Sequence, residues 1–269
     1  MTAQPTGTVA HTLAGRGVVI TRPTEQSRRL AELVRAASGH PIVFPTLEIT
    51  DPCDPQHLDR LIDELERVDW AIFVSPTAAS RGLERIRARR TLPSRLRVAA
   101  VGPATARELR RLGVDAVVSP ARGADSEALL ECSELADMRG RAVVIFRGEG
   151  GRELLARALT ERGAIVEYAQ CYRRGRPQIS AEPLLRAWRS GEVHALIVMS
   201  REGLDNLFEM VGVEGRPWLL ATPLFVPHAR IAQAACTLGV VQVTVTPAGD
   251  EGVVAAVVEH FAQSSQTSR

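Results

Sequence analysis

Short runs of apolar, largely β-branched residues punctuate the chain at positions 18–21, 42–44, 71–74, 98–101, 143–146, 196–199, 224–226 and 241–245. Within most of them successive residues, not alternate ones, are apolar, which is the pattern of a strand covered on both faces. Between these runs lie segments with helical spacing of apolar positions, at 27–37, 104–112, 153–161 and 231–238. Strand runs alternating with helical segments predict an α/β protein with parallel sheets flanked by helices.

The pattern also repeats. Gly15-Arg-Gly-Val-Val-Ile-Thr-Arg22 matches Gly140-Arg-Ala-Val-Val-Ile-Phe-Arg147, and the stretch VDWAIFVS ending at Ser75 matches VHALIVMS ending at Ser200. Leu112-Gly113-Val114 recurs as Leu238-Gly239-Val240 at almost the same distance. A period of this length is far above the roughly 50 residues of solenoid units. Two similar α/β lobes facing a cleft are therefore expected. The polar, proline-containing segments 46–54 and 171–177 are the expected crossings between them.

Length agrees, since 269 residues allow one large or two small domains at roughly 150 residues each. Hydrophobic residues make up 45% of the chain and charged residues 24%, enough for a core. The net charge of +2 excludes a polycation built for duplex nucleic acid. All the cations are arginines and there is no lysine, which excludes Schiff-base and P-loop lysine chemistry. Four dispersed cysteines without a CxxC pair read as reduced, mostly buried thiols of a cytoplasmic protein. Neither a secretory leader nor an apolar run of roughly 18 residues is present, so no membrane partner is expected.

Candidate chemistry gathers where strands end. Arg22 and Arg147 each follow a strand run and precede a helix, the usual place for ligand contacts in open α/β sheets. Arg147-Gly-Glu-Gly-Gly-Arg152 fails as a dinucleotide fingerprint, because the third glycine position holds Glu153. It remains open as a turn offering amides to an anion, or as a turn that needs glycine for positive φ. Ser75-Pro-Thr77 and Gly102-Pro-Ala-Thr105 set hydroxyls and amides after strands, as helix caps or as carboxylate donors. No metal or hydrolase constellation is found among the six histidines, of which only His228 follows a strand. Tyr172, beside Arg173 and Arg174 in the second crossing segment, is either a proton donor or an aromatic stacked on the linker.

In order and spacing these blocks resemble the uroporphyrinogen-III synthase family. The resemblance is carried by Val19-Ile-Thr-Arg22-Pro, Trp70-Ala-Ile-Phe-Val-Ser75-Pro-Thr77-Ala, Val101-Gly-Pro-Ala-Thr-Ala106, Pro120 with Ser126-Glu-Ala-Leu-Leu130, Arg147-Gly148 with Gly151-Arg-Glu153, and Tyr172-Arg-Arg174. It implies a discontinuous lobe of residues 15–46 and 177–263, a second lobe of 47–176, a two-stranded linker, and flexible tails at 1–14 and 264–269. It also implies a lyase of tetrapyrrole biosynthesis, monomeric and free of metal or cofactor. Such an enzyme closes the linear tetrapyrrole hydroxymethylbilane with loss of water and inversion of ring D through a spiro intermediate.

Carried over by position, Tyr172 is the implied proton donor, and Ser75, Thr105, Arg147 and Ser200 are implied substrate contacts. Arg22, Thr77, Gly102 and Gly148 complete that set, with His228 and Arg230 where the second half departs from pattern. The departures are Arg201-Glu202-Gly203, and Ile231 in the place corresponding to Thr105. Expected partners are the small-molecule substrate and transient contacts with pathway enzymes, without nucleic acid or membrane. A non-catalytic two-lobed binding or sensor protein of the same fold stays open as the alternative, with a nucleotide-sugar transferase as a weaker third reading.

Overall fold

Strand β1 (Gly17–Ile20) is buried at every position, as a central strand covered on both faces must be. Alternate residues serve opposite faces: Val18 and Ile20 join one apolar cluster while Val19 joins another. The computed structural model describes residues 12–267, and within them the chain divides into two compact units. The first is formed by residues up to Glu48 and from Gly175 onward, the second by Ile49–Arg174.

In the first unit β1 leads to α1 (Thr24–Ala36) and β2 (His40–Val43) before the chain leaves. The second unit opens with β3 (Glu48–Thr50) and α2 (Pro55–Asp63), then runs β4 (Trp70–Phe73), α3 (Pro76–Arg87), β5 (Arg97–Ala100), α4 (Pro103–Arg111) and β6 (Val117–Val118). It continues through α5 (Ser126–Leu130), β7 (Ala142–Gly148), α6 (Leu154–Glu161) and the long β8 (Ile165–Gly175). Back in the first unit follow α7 (Glu182–Arg189), β9 (Val193–Ile197), α8 (Arg201–Ala221), β10 (Leu224–Val226), α9 (Ala229–Thr237), β11 (Val243–Val245) and α10 (Asp250–Thr267).

The first unit's sheet has the order β11-β10-β9-β1-β2, with every pair parallel. The second has β3-β8-β7-β4-β5-β6, parallel from β8 to β6. Leaving β3 aside, the two orders coincide when β7, β8, β4, β5 and β6 are set against β1, β2, β9, β10 and β11. The repeat found in the sequence therefore does not map one half onto one unit. Each unit takes its β-α-β element from one half and its other three strands from the other half.

Helices cover both faces of each sheet. In the first unit α1 and α10 pack on Val18, Ile20, Ala195, Ile197 and Phe225, while α7, α8 and α9 cover Val19, Leu196, Leu224 and Val226. In the second unit α2, α3 and α4 cover Ala71, Phe73, Val98 and Phe146, and α5 and α6 cover Trp70, Ile72, Ala99 and Ile145. Phe73 and Phe146 stack at 4.7 Å between ring centres across β4 and β7.

The structure corrects two expectations. Leu13, placed by sequence in a flexible tail, is fully buried against Leu30 and Val34, and its N–H donates to Ala37 O at 2.8 Å. At the other end α10 continues to Thr267; residues 1–11 and 268–269 lie outside the described part. Of the four cysteines only Cys171 is buried, while Cys53 and Cys236 are exposed. Cys53 sits among polar residues, whereas Cys236 has apolar neighbours in sequence yet lies on the outward face of α9, so apolar neighbours do not guarantee an inward face.

Candidate active site

Open parallel sheets bind ligands beyond the carboxyl ends of their strands, at the point where the strand order reverses. In the second unit that point lies between β4 and β7, and in the first between β9 and β1. The sequence candidates fall at these two places: Ser75, Arg147 and Gly148 in the second unit, Arg22 and Ser200 in the first.

At the end of β4 the chain turns at Ser75, whose hydroxyl caps α3 by accepting from the Ala78 N–H at 3.0 Å. Pro76 at the first helical position suits this turn, since its missing N–H would have had no partner. The Ser75 hydroxyl also meets the Tyr172 hydroxyl at 3.2 Å. Tyr172 comes from β8, and its arrival at Ser75 depends on a bulge. Arg147 pairs with Gln170, but Gly148 pairs with Tyr172, leaving Cys171 as an extra residue.

Strict alternation would put Tyr172 on the face of Tyr168 and Gln170. The extra residue moves it to the opposite face, among Ala169, Phe146 and Phe73. Tyr172 is only 3% exposed there. Its ring lies on Gly148, where a Cβ would approach the ring carbons Cε2 and Cζ to 2.8 Å. The Arg174 guanidinium stands 5.8 Å from the ring centre. Cys171, next in the chain, has its thiol pushed up to about 12 by burial and directed at the Arg147 carbonyl at 3.3 Å.

Arg147, the penultimate residue of β7, is 7% exposed, yet it has no carboxylate partner among the described residues. Its guanidinium lies over the Tyr168 ring at 4.6 Å and donates to the carbonyls of Gly150 and, at 3.3 Å, Gly148. The turn needs its glycines for positive φ. Gly150 (φ 71°) and Gly151 (φ 100°) adopt left-handed backbone, and a Cβ on Gly151 would meet Arg147 Nη2 at 2.7 Å. The N–H groups of Gly150, Gly151, Arg152 and Glu153 meanwhile find no acceptor among the described residues. A buried cation beside four free amides is a place for an anion.

Within the same turn Glu149 accepts from both the backbone N–H and the thiol of Cys53. Those bonds, the amide foremost, with Arg173 nearby, hold its carboxyl below the usual range. Arg173 in turn donates to Thr50 at 2.9 Å. The sequence reading passed over this group. Its signals were the position of Glu149 inside the turn and of Arg173 beside Tyr172.

The remaining candidates are less committed to one point. Gly102 is the buried cap position of α4, Thr77 is half-buried in the first turn of α3, and Thr105 is 3% exposed. Thr105 does not cap its helix as its sequence position allowed, because α4 starts two residues earlier at Pro103. In the first unit Arg22 is taken by Asp250 at 2.7 Å, so it is no free cation. Ser200 caps α8, accepting from Gly203 N–H at 3.0 Å, as Ser75 caps α3. His228 holds the cap position of α9 without a side-chain cap bond, and both it and Arg230 are exposed. Among the described residues no group of three or more His, Cys, Asp or Glu is placed to hold a metal ion, and no helix is long and apolar enough to cross a membrane.

Comparison with known proteins adds the family. Residues 28–252 match the family model described as uroporphyrinogen-III synthase HemD. A relative named uroporphyrinogen-III synthase from Salmonella typhimurium is 34% identical over 226 residues, covering 82% of this chain and 91% of that protein. One of the same name from Escherichia coli K12 is 30% identical over 227 residues, with the same two coverages. The crystal structure of a mutant uroporphyrinogen III synthase from the extreme thermophile Thermus thermophilus superposes with a TM-score of 0.57 at 21% identity. It covers 94% of this chain and 100% of that one, and at this identity it speaks for the fold.

Proposed function

Because the chain belongs to the uroporphyrinogen-III synthase family, we infer that it closes hydroxymethylbilane to uroporphyrinogen III, as a cyclising lyase of tetrapyrrole biosynthesis. The reading is supported most by the groups gathered where β4 and β7 end in the second unit: the Tyr172 phenol beside Ser75, and Arg147 with the glycine turn that follows it. Arg147 is buried without a carboxylate partner, and the free amides of residues 150–153 stand beside it. A substrate carrying eight carboxylates needs many such donors and few acid–base groups, because its closure is steered by how the chain is held.

In this reading Tyr172 gives its proton to the departing hydroxyl, which leaves as water. The resulting cation is attacked by the substituted carbon of ring D, and the spiro intermediate then fragments and recloses with that ring inverted. Arg147, Gly148 and the turn amides, with Thr77, Gly102 and Thr105 at neighbouring strand ends, hold substrate carboxylates. In the first unit Ser200, His228 and Arg230 do the same, with Arg22 shared with Asp250. The work is done by this chain's own groups in the cytoplasm, by a monomer, with only transient contact to other pathway enzymes. A non-catalytic binding protein of the same fold is not favoured, given the named relatives.

The test is isomer analysis. Freshly generated hydroxymethylbilane is added, the product is oxidised, and type I and type III porphyrins are separated. Type III formed faster than spontaneous closure is the expected result, and type I alone would refute the reading. Tyr172→Phe should lower kcat by about 10²–10⁴-fold, the usual range for loss of a general acid.

A further inference from the structure

We propose that Ser75 is a positioning residue for Tyr172, holding the phenol hydroxyl at the end of β4 and stabilising the oxygen once its proton has gone. The inference rests on Tyr172 acting as the acid, as proposed above. Three observations carry it. The two hydroxyls are 3.2 Å apart. One Ser75 lone pair is already occupied by the Ala78 N–H, leaving the Ser75 hydrogen free to point at the phenol. The ring itself cannot settle elsewhere, because Gly148 forms its floor and its surroundings are core.

Proton accounting follows from that geometry. The Tyr172 O–H bond breaks, its proton passes to the departing hydroxyl, and water leaves, with the electron pair remaining on the phenol oxygen. Tyr172 is only 3% exposed, so little water reaches that oxygen. The Ser75 O–H donates to the oxygen in place of water, and the positive end of the α3 dipole faces it from the Ser75 cap. The proton released when the last ring recloses returns to Tyr172, so the enzyme ends as it began.

The experiment uses the full chain with Tyr168→Phe, which keeps a ring under Arg147 and leaves Tyr172 as the single tyrosine. With ¹³Cζ-labelled tyrosine, the Tyr172 resonance reads its hydroxyl bond independently of turnover. Ser75→Ala should shift that resonance and lower kcat about 3- to 10-fold with little change in KM, the effect expected from losing one hydrogen bond. Ser75→Thr should restore both, and Ser75→Gly, which keeps most of the cap, should behave like Ser75→Ala. In a Tyr172→Phe background, Ser75→Ala should cost nothing further. The proposal is overturned if the resonance stays put, if the loss appears in KM instead of kcat, or if Ser75→Ala is equally harmful without the phenol. A Tyr172→Phe variant with full kcat would instead remove the acid role itself, while the resonance shift would still report the bond.

Discussion

Replacing Gly148 by alanine adds one methyl group beneath the Tyr172 ring. The new Cβ would lie 2.8 Å from Cε2 and Cζ and 3.2 Å from the hydroxyl oxygen. Carbon atoms rest comfortably at about 3.5–4.0 Å, so the ring must retreat by roughly 0.7–1.2 Å. Gly148 ends β7 and its φ is outside the left-handed region, so backbone strain does not contribute. A retreat of this size is enough to carry the phenol beyond hydrogen-bond reach of Ser75, from which it is 3.2 Å away. Overpacking of this kind destabilises by about 1–3 kcal/mol. A reacting group misplaced by about 1 Å loses up to roughly 10²-fold in rate. We therefore expect Gly148→Ala to remain folded, with a lower urea midpoint, and to lose about 10- to 100-fold in kcat while KM changes little. Combined with Tyr172→Phe it should lose nothing more. Turnover with isomer analysis, alongside urea unfolding, measures both quantities. Full kcat in a folded Gly148→Ala protein would refute the claim that the glycine floor sets the phenol.

The two strand-end arginines should differ sharply. Arg147→Ala should raise KM by about 10- to 100-fold, the loss of charge-assisted bonds at a buried place, whereas Arg22→Ala, half-exposed and shared with Asp250, should change it by less than about 5-fold. Alkylation at neutral pH should label Cys53 and Cys236 in the folded protein and spare Cys171, whose buried thiol is pushed up to about 12; mass spectrometry showing early Cys171 labelling would contradict that burial. Leu13→Ala should destabilise by about 2–5 kcal/mol in denaturant titration, and a neutral result would return residue 13 to a tail. Glu149, held below the usual carboxylate range by Cys53, contributes stability that is fully present above that range and fades as pH falls through its lowered value. Melting of wild type and Glu149→Gln should accordingly differ near neutrality and converge in acid.

What could be read from residues alone was what depends on local pattern. Fully covered strands such as β1 and β4 announce themselves as unbroken apolar runs, and the duplicated Gly-Arg…Val-Val-Ile…Arg block gave the repeat. Boundaries moved by only a residue or three: the helix read at 104–112 is Pro103–Arg111, and the strand read at 196–199 is Val193–Ile197. Strand β8 was not read, because its exposed Ile165, Glu167 and Gln170 alternate with covered positions and break the run. Neither was the meeting of Ser75 with Tyr172. It depends on one bulged residue, Cys171, and a register slip leaves no trace in composition. The pairing of Arg22 with Asp250 joins residues 228 positions apart, which no local pattern encodes.

The way each unit borrows strands from both halves of the repeat bears on how the chain is made. β1 leaves the ribosome early, yet its neighbour β9 follows only much later, since Gly17 and His194 at their starts are 177 residues apart. At roughly 5–20 residues per second, that interval is about 10–35 s. During it the segment β1-α1-β2 has both sheet edges open and an uncovered apolar face, while Ile49–Arg174 emerges as a continuous stretch able to fold first. The nascent first unit thus waits on the second, and residues 17–43 are the part of this protein with most need of a chaperone's shelter during synthesis.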